Sequence, residues 1–220
     1  MARLTRPESQ ARTRSDLLAT AREMFLRDGY AKTSLEKVAE EAGYSKGAVY
    51  SNFKTKSALC LEVLGLIHET KFTELSDLLS GEDSLEDRME RFERWAERTL
   101  GDVEWTLLEF EFAIVARDDA DLQAALVSGL SMMRGAAAAQ LQVLADSMGV
   151  VLPMSAEDSA TTILSLGLGL GIQRAVDPSI SARLITDAVR AMLAAAVPIG
   201  ESAVAVSGSS ASTRRDTAAG

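Results

Sequence analysis

Two short helical segments, Ser34 to Ala42 and Ser45 to Asn52, are separated only by Gly43 and Tyr44. Helices joined this tightly must cross steeply, which is the helix-turn-helix arrangement. Thr33-Ser34-Leu35-Glu36 reads as a capping box, the Thr33 hydroxyl taking the Glu36 N–H while the carboxylate returns to the cap. Leu35, Val38 and Ala39 form the inward face of the first segment, and Gly43 closes it. The second has few core residues, Ala48, Val49 and Phe53. Its opposite face carries Lys46, Gly47, Tyr50 and Ser51, which suits an external surface better than a core.

The flanking sequence is helical by periodicity. Leu17, Leu18, Ala21, Met24, Phe25 and Leu26 define a helix from Arg14 to the C′ candidate Gly29, and residues 1–13 read as a flexible basic arm. After Asn52 a longer helix runs from Lys56 towards Leu75, the only continuous segment expected to leave this head and enter the remainder. Further helices follow over Leu85–Leu100, Asp102–Arg117, Leu122–Met148, Ala156–Ala175 and Ser181–Val197. The expectation is an all-α chain of about nine helices, with a head over 14–55 and a helical domain over 56–198. Residues 199–220 are Ala, Ser, Gly and Thr, too poor in large side chains to offset ordering entropy, and read as a disordered tail.

Charge is divided unevenly. Residues 1–60 hold 11 Lys or Arg against 7 Asp or Glu, and residues 61–220 hold 12 against 25, so the net −9 conceals a basic N-terminal piece. Phosphate binding depends on local Lys and Arg rather than on the chain average, which directs a polyanion to the head. A single Cys, Cys60, and a single His, His68, leave no disulfide, no Cys- or His-based metal cluster and no Ser-His-Asp set. No catalytic residue, metal or cofactor is therefore expected. The N-terminal residues lack the apolar run of a secretory signal, and the longest uncharged stretch, Ser159 to Gln173, is too short and too rich in Ser, Thr and Gly to span a bilayer. The expected setting is a reducing cytoplasm, nucleoid-associated when DNA is bound, with no membrane partner.

The run SLEKVAEEAGYSKGAVYSNFKTKSALCLEVL, Ser34 to Leu64, resembles the DNA-binding domain of TetR-family transcriptional repressors. The A-G-Y-S-K-G turn, the Tyr50-x-x-Phe53 pair and Lys54-x-Lys56 before a long fourth helix carry the match, which covers about 50 residues from Arg14. The resemblance implies a homodimer whose three N-terminal helices bind double-stranded palindromic operator DNA. It also implies a divergent C-terminal domain that takes a small-molecule effector. Lys46, Gly47 and Tyr50 then fall where members touch bases or nearby backbone, and Thr33, Ser34, Ser45, Tyr50, Ser51, Asn52 and Lys56 fall at contacting positions around them. Ser51 and Asn52 depart from the pattern, since many members carry an aromatic and then His or Tyr there. Physically, a residue without Cβ at 47 admits close approach, Lys46 reaches a guanine edge or a phosphate, and Tyr50 offers a ring and a hydroxyl.

The remaining motifs read as packing. Gly167-Leu168-Gly169-Leu170-Gly171 lies inside a helix and lacks the G-x-G-x-x-G spacing of a dinucleotide loop, so its glycines admit a neighbouring helix. Leu164, Gly167, Leu168 and Gly171, with Leu184, Ile185, Ala188, Val189, Met192 and Leu193 on the last helix, form the expected dimer surface. Trp95, Trp105, Phe112, Met132 and Met133 are the candidate effector wall, and Glu109 is the carboxylate a cationic effector would meet. Together these give a repressor released from its operator by a largely apolar small molecule. The alternative is a regulator of the same type that activates, or that has no effector.

Overall fold

The computed structural model describes residues 5–79 and 83–199. Among them are nine helices: α1 Arg6–Lys32, α2 Leu35–Glu41, α3 Lys46–Asn52, α4 Lys56–Leu79, α5 Leu85–Thr99, α6 Val103–Ala116, α7 Ala120–Met148, α8 Ala156–Val176 and α9 Arg183–Ala194. The all-α expectation holds, with one addition. The two-residue strands β1 Val150–Val151 and β2 Val197–Pro198 pair antiparallel, and Ile199 N–H reaches Gly149 O at 3.1 Å.

Helix α1 begins two turns earlier than the apolar periodicity indicates. The Thr5 side chain accepts the Glu8 N–H while the Glu8 carboxylate takes the Thr5 N–H, and Pro7 sits in the first turn. Residues 6–13, expected as a flexible arm, are therefore helical. The cap chemistry is present in a stretch with no apolar stripe to announce it. Gly29, at φ +81, breaks the helical path near the end of α1, a conformation open to glycine at little cost.

The capping box expected at Thr33 is also displaced by one residue. Ser34 is the cap of α2, its side chain accepting the Lys37 N–H, whereas Thr33 is 2% exposed and its hydroxyl donates to Gly29 O at 2.9 Å. A threonine facing inward satisfies itself on the nearest free carbonyl, and the cap passes to its solvent-side neighbour.

Two cores organise the chain. The first gathers Leu17, Ala21 and Phe25 of α1, Val38 of α2, Val49 of α3, Leu59 and Val63 of α4, and Leu108 and Phe112 of α6. Cys60 lies in it as a packing residue, its thiol pushed up to about 12 by burial. The second joins Met89, Phe92 and Ala96 of α5 to Leu170 of α8 and Ile185 and Val189 of α9. The boundary expected at 55/56 thus does not divide the packing, because α4 and α6 complete the head's core. α4 is consequently not the sole link: Glu111 of α6 accepts the Tyr30 N–H at 2.6 Å, and Phe112 meets the Tyr30 ring edge-on at 5.8 Å.

Two of the three glycines of α8 behave as packing residues, whereas a Cβ on Gly169 would meet nothing within 4 Å. A Cβ on Gly167 would lie 3.3 Å from Ile185 Cδ1 of α9, and one on Gly171 would lie 3.9 Å from Thr106 Oγ1 of α6. The expected tail, apart from Ile199, and residues 1–4 of the expected arm lie outside the described residues.

Candidate nucleic-acid interface and effector cavity

Helix α3 is held by its two ends and one buried side chain. The Ser45 side chain caps it by accepting the Ala48 N–H at 3.2 Å, Val49 is fully buried, and Phe53 is buried just beyond its end. The opposite face is left to solvent. Lys46 is exposed, Tyr50 is 49% exposed, and a Cβ on Gly47 would meet nothing closer than Ser45 Oγ at 3.8 Å. No contact within the chain calls for glycine at 47.

Tyr50 joins this face to α2. Its hydroxyl donates to Glu36 Oε1 at 2.5 Å, which holds the Glu36 carboxyl below the usual range and raises the Tyr50 hydroxyl. The phenol is thereby oriented before any ligand arrives. Ser51 and Asn52 turn back on the helix, each donating to Ala48 O at 2.8 Å. Arg14 fixes the far end: Nη1 donates to Asn52 O at 2.7 Å, Nη2 meets both Glu62 oxygens at 2.6 Å, and the guanidinium lies 4.4 Å from the Phe53 ring centre.

Two residues expected at the interface are placed elsewhere. Thr33 is buried as described above, so its hydroxyl has no path to a phosphate. The Lys56 ammonium donates to Tyr30 O at 3.0 Å and lies 4.0 Å from the Tyr30 ring centre, which makes it a brace between α4 and the end of α1. An electron-rich ring and a carbonyl on the same neighbour, the carbonyl also accepting the Thr33 N–H at 3.3 Å, outcompete solvent for the ammonium. Lys54, one residue past the end of α3 at Phe53, is exposed and in no ion pair among the described residues. The alternation Lys54-x-Lys56 contains both, and spacing alone does not say which turns outward.

A cavity of about 360 Å³ lies between α4, α5, α7, α8 and α9. Its wall is mostly apolar, with Phe72, Leu75, Met89, Phe92, Leu144 and Ile163, interrupted by Ser76, Arg88, Gln140 and Ser147. None of the side chains expected to meet an effector lines it. Trp95 stands behind the wall, stacked on Phe92 at 6.0 Å with its indole N–H on Glu74 at 3.1 Å. Phe112 is fully buried in the first core and Trp105 packs against that core, while Glu109 is paired with His68 Nε2. Met132 is 72% exposed and Met133 half-buried. The aromatic stripe of α6 is used to join head and body, a use that periodicity cannot distinguish from lining a cavity.

The expected dimer surface divides in two. Gly167, Gly171, Ile185, Val189 and Leu193 are buried within the chain, and Leu164 and Val189 border the cavity. Leu168 and Leu184 are exposed, Ala188 and Met192 half-buried. With Ile172 and with Val176, which lies just beyond the expected face, Leu164 and Leu168 make an i,i+4 stripe along α8 beside Leu184, Ala188 and Ala191 of α9. No helix among the described residues is long and apolar enough to cross a membrane.

Residues 17–63 match the model of the bacterial regulatory proteins of the tetR family. The chain is 39% identical over 70 residues to the HTH-type transcriptional regulator TtgR of Pseudomonas putida, an overlap covering 32% of this chain and 33% of TtgR. The match thus spans about a third of the length of the curated relatives. In fold it is similar to a Rhodococcus sp. protein assigned to the TetR-family transcriptional regulators, with TM-score 0.69, 21% identity, and coverage of 83% of this chain and 98% of that one. It is also similar to SmeT in a complex with triclosan, with TM-score 0.61, 21% identity, and coverage of 86% and 93%. At such identity these structures bear on the fold alone.

Proposed function

The chain belongs to the TetR family of bacterial transcriptional regulators, and from that premise we propose that it is a homodimeric repressor released from a palindromic operator by a small molecule. The observation that carries the reading is the outer face of α3, where Lys46, Gly47 and Tyr50 are turned to solvent and no packing contact accounts for glycine. An exposed face of that composition suits the major groove: a close backbone approach at 47, a cation for a guanine edge or a phosphate at 46, and a pre-oriented phenol at 50.

The second copy is expected on the apolar stripe of α8 and α9, which would hold two α3 helices about 34 Å or a multiple apart, one turn of the duplex. The effector is expected in the cavity, whose volume lies in the range of small-molecule sites. That SmeT was solved with triclosan supports a small-molecule site in this fold. The setting that follows is the bacterial cytoplasm.

Selection of bound genomic fragments, followed by footprinting and titration, tests the reading. A footprint confined to a palindrome is expected. Lys46→Ala and Tyr50→Phe should each weaken binding there by about 1–3 kcal/mol where the side chain reads a base. Unchanged affinity in both variants would remove α3 from the interface. A promoter reporter in a deletion strain separates repression from activation. A thermal-shift screen finds the effector, since a ligand at 100 times Kd adds about 2.7 kcal/mol.

A further inference from the structure

The cavity runs along α4 from Phe72 to Leu79, and its polar side chains are spread unevenly over that length. Two hydrogen bonds set α5 against α4: Arg91 donates to Leu78 O at 3.1 Å, and the Trp95 N–H to Glu74 at 3.1 Å. The two helices are therefore antiparallel, and Arg88 of α5 lies level with a position past Leu79, the last residue of α4. Gln140 of α7 donates to Ser76 Oγ at 3.4 Å, and α7 runs in the same direction as α4, since Leu122 packs on the first core and Ala145 lies in the second. Ser147 stands seven residues beyond Gln140 and so about 10 Å further along. That places Ser147 at the same end of the cavity as Arg88. The other end, at Phe72 and Ala137, is apolar.

Among the described residues Arg88 is the one charged side chain that lines this cavity. Residues 61–220 hold 25 Asp or Glu against 12 Lys or Arg, yet none of those carboxylates stands in the wall. The carboxylates within two residues of Arg88 are engaged elsewhere: Glu86 with Arg190 at 2.8 Å, Asp87 with the Ser84 hydroxyl at 2.6 Å, and Glu90 with Arg94 at 3.6 Å. Arg88 is half-buried, with its Nε shielded from solvent. A guanidinium presents five donors on more than one edge, so a contact within the chain on one edge leaves another for a ligand. In a mostly apolar wall its charge attracts an anion and opposes a cation more strongly than at the surface.

We propose that the cavity takes an amphipathic anion: a carboxylate held by Arg88 at the Ser147 end, on an apolar body about 10 Å long that extends beside α4 towards Phe72. The proposal rests on the reading of this cavity as the effector site and gives that effector a charge. The sign is opposite to that of the ligand Glu109 would have met, and Glu109 is paired with His68 away from the wall. Ser147 is exposed, so the carboxylate end lies next to solvent and keeps part of its hydration, while the body is buried among apolar side chains.

Calorimetric titration of the full chain at neutral pH with decanoate, decanol and decylammonium, which share one apolar chain and differ in the charge of its end, tests it. The wild type should bind decanoate roughly tenfold or more tightly than decanol, the factor that a charge-assisted hydrogen bond is worth, and decylammonium more weakly than either. Arg88→Gln should bring decanoate to the level of decanol without changing decanol itself, and Arg88→Lys should keep the order of the wild type. Leu144→Trp, which puts a larger side chain into the cavity, should weaken all three, and circular dichroism should give the same helix content throughout. Equal affinity of the wild type for decanoate and decanol, both weakened by Leu144→Trp, would overturn the anion and leave the cavity as an effector site. A preference for decanoate that survives in Arg88→Gln would overturn the role of Arg88. No binding of any of the three, or binding indifferent to Leu144→Trp, would overturn both the anion and the cavity.

Discussion

Gly47 and Gly101 are glycines for opposite reasons. A Cβ on Gly101 would lie 2.5 Å from Arg174 Cβ, and the residue sits at φ +92. Arg174 itself cannot yield, because its guanidinium is spent on Leu100 O, Ile180 O and the Glu97 carboxylate, stapling the ends of α5 and α8. Gly101→Ala is therefore expected to destabilise the chain by more than the ~1–3 kcal/mol of left-handed strain alone, as read by urea unfolding. Gly47→Ala meets no such obstacle. It should leave stability unchanged or raise it by up to about 1 kcal/mol, while operator affinity falls. A variant that loses stability and keeps its affinity would assign Gly47 to the fold. Lys56 belongs to the same scale: removing its cation–π contact and one hydrogen bond in Lys56→Ala should cost about 1–2 kcal/mol in unfolding. Its salt slope on DNA should stay near that of the wild type, whereas Lys54→Ala should flatten it.

At the scale of elements, α2 and α3 were legible because each carries its own cap, turn and inward stripe within a few residues. The start of α1 was not legible, since Thr5 and Glu8 form a capping box with no apolar periodicity after it until Leu17. The faces of α6, α8 and α9 were legible, but their partners were not. Periodicity says that Phe112 points inward, and only the fold says that what it meets is Tyr30 of the head. The same ambiguity governs the dimer surface. Leu193 is 7% exposed and belongs to the second core, so Leu193→Glu buries an unpaired charge and should unfold the chain. Leu168 is 49% exposed, and a carboxylate there costs the isolated protomer little. Sedimentation of Leu168→Glu should give a folded monomer with wild-type circular dichroism, and a dimer as tight as the wild type would move the interface off α8.

For the whole molecule, the proposed function requires that an effector in the cavity act on α3 from a distance. Helix α4 runs from Lys56, braced on Tyr30, to Leu75 and Leu79 at the cavity wall. At 1.5 Å per residue it is about 36 Å long, enough to join the two regions without an intermediary. Helix α6 touches no part of the cavity, yet it grips the head through Glu111 and Phe112 and grips the middle of α4 through the Glu109–His68 pair. The arrangement is a lever held at its midpoint. On the proposed function, an effector that displaced the cavity end of α4 would turn the head about α6, which Glu111 fixes to the end of α1. An effector acts only through its difference in affinity between the two dimer states, and a coupling of about 1–3 kcal/mol corresponds to roughly 5- to 150-fold release. Glu111→Ala removes the carboxylate from the Tyr30 and Ala31 N–H groups while leaving the cavity wall untouched. With an effector found by thermal shift, calorimetry should give wild-type binding to free Glu111→Ala, and operator titrations should show a smaller release factor than in the wild type. A release factor equal to the wild type's would mean that α4 acts without this fulcrum, and weakened calorimetric binding would mean that Glu111 serves the cavity rather than the lever.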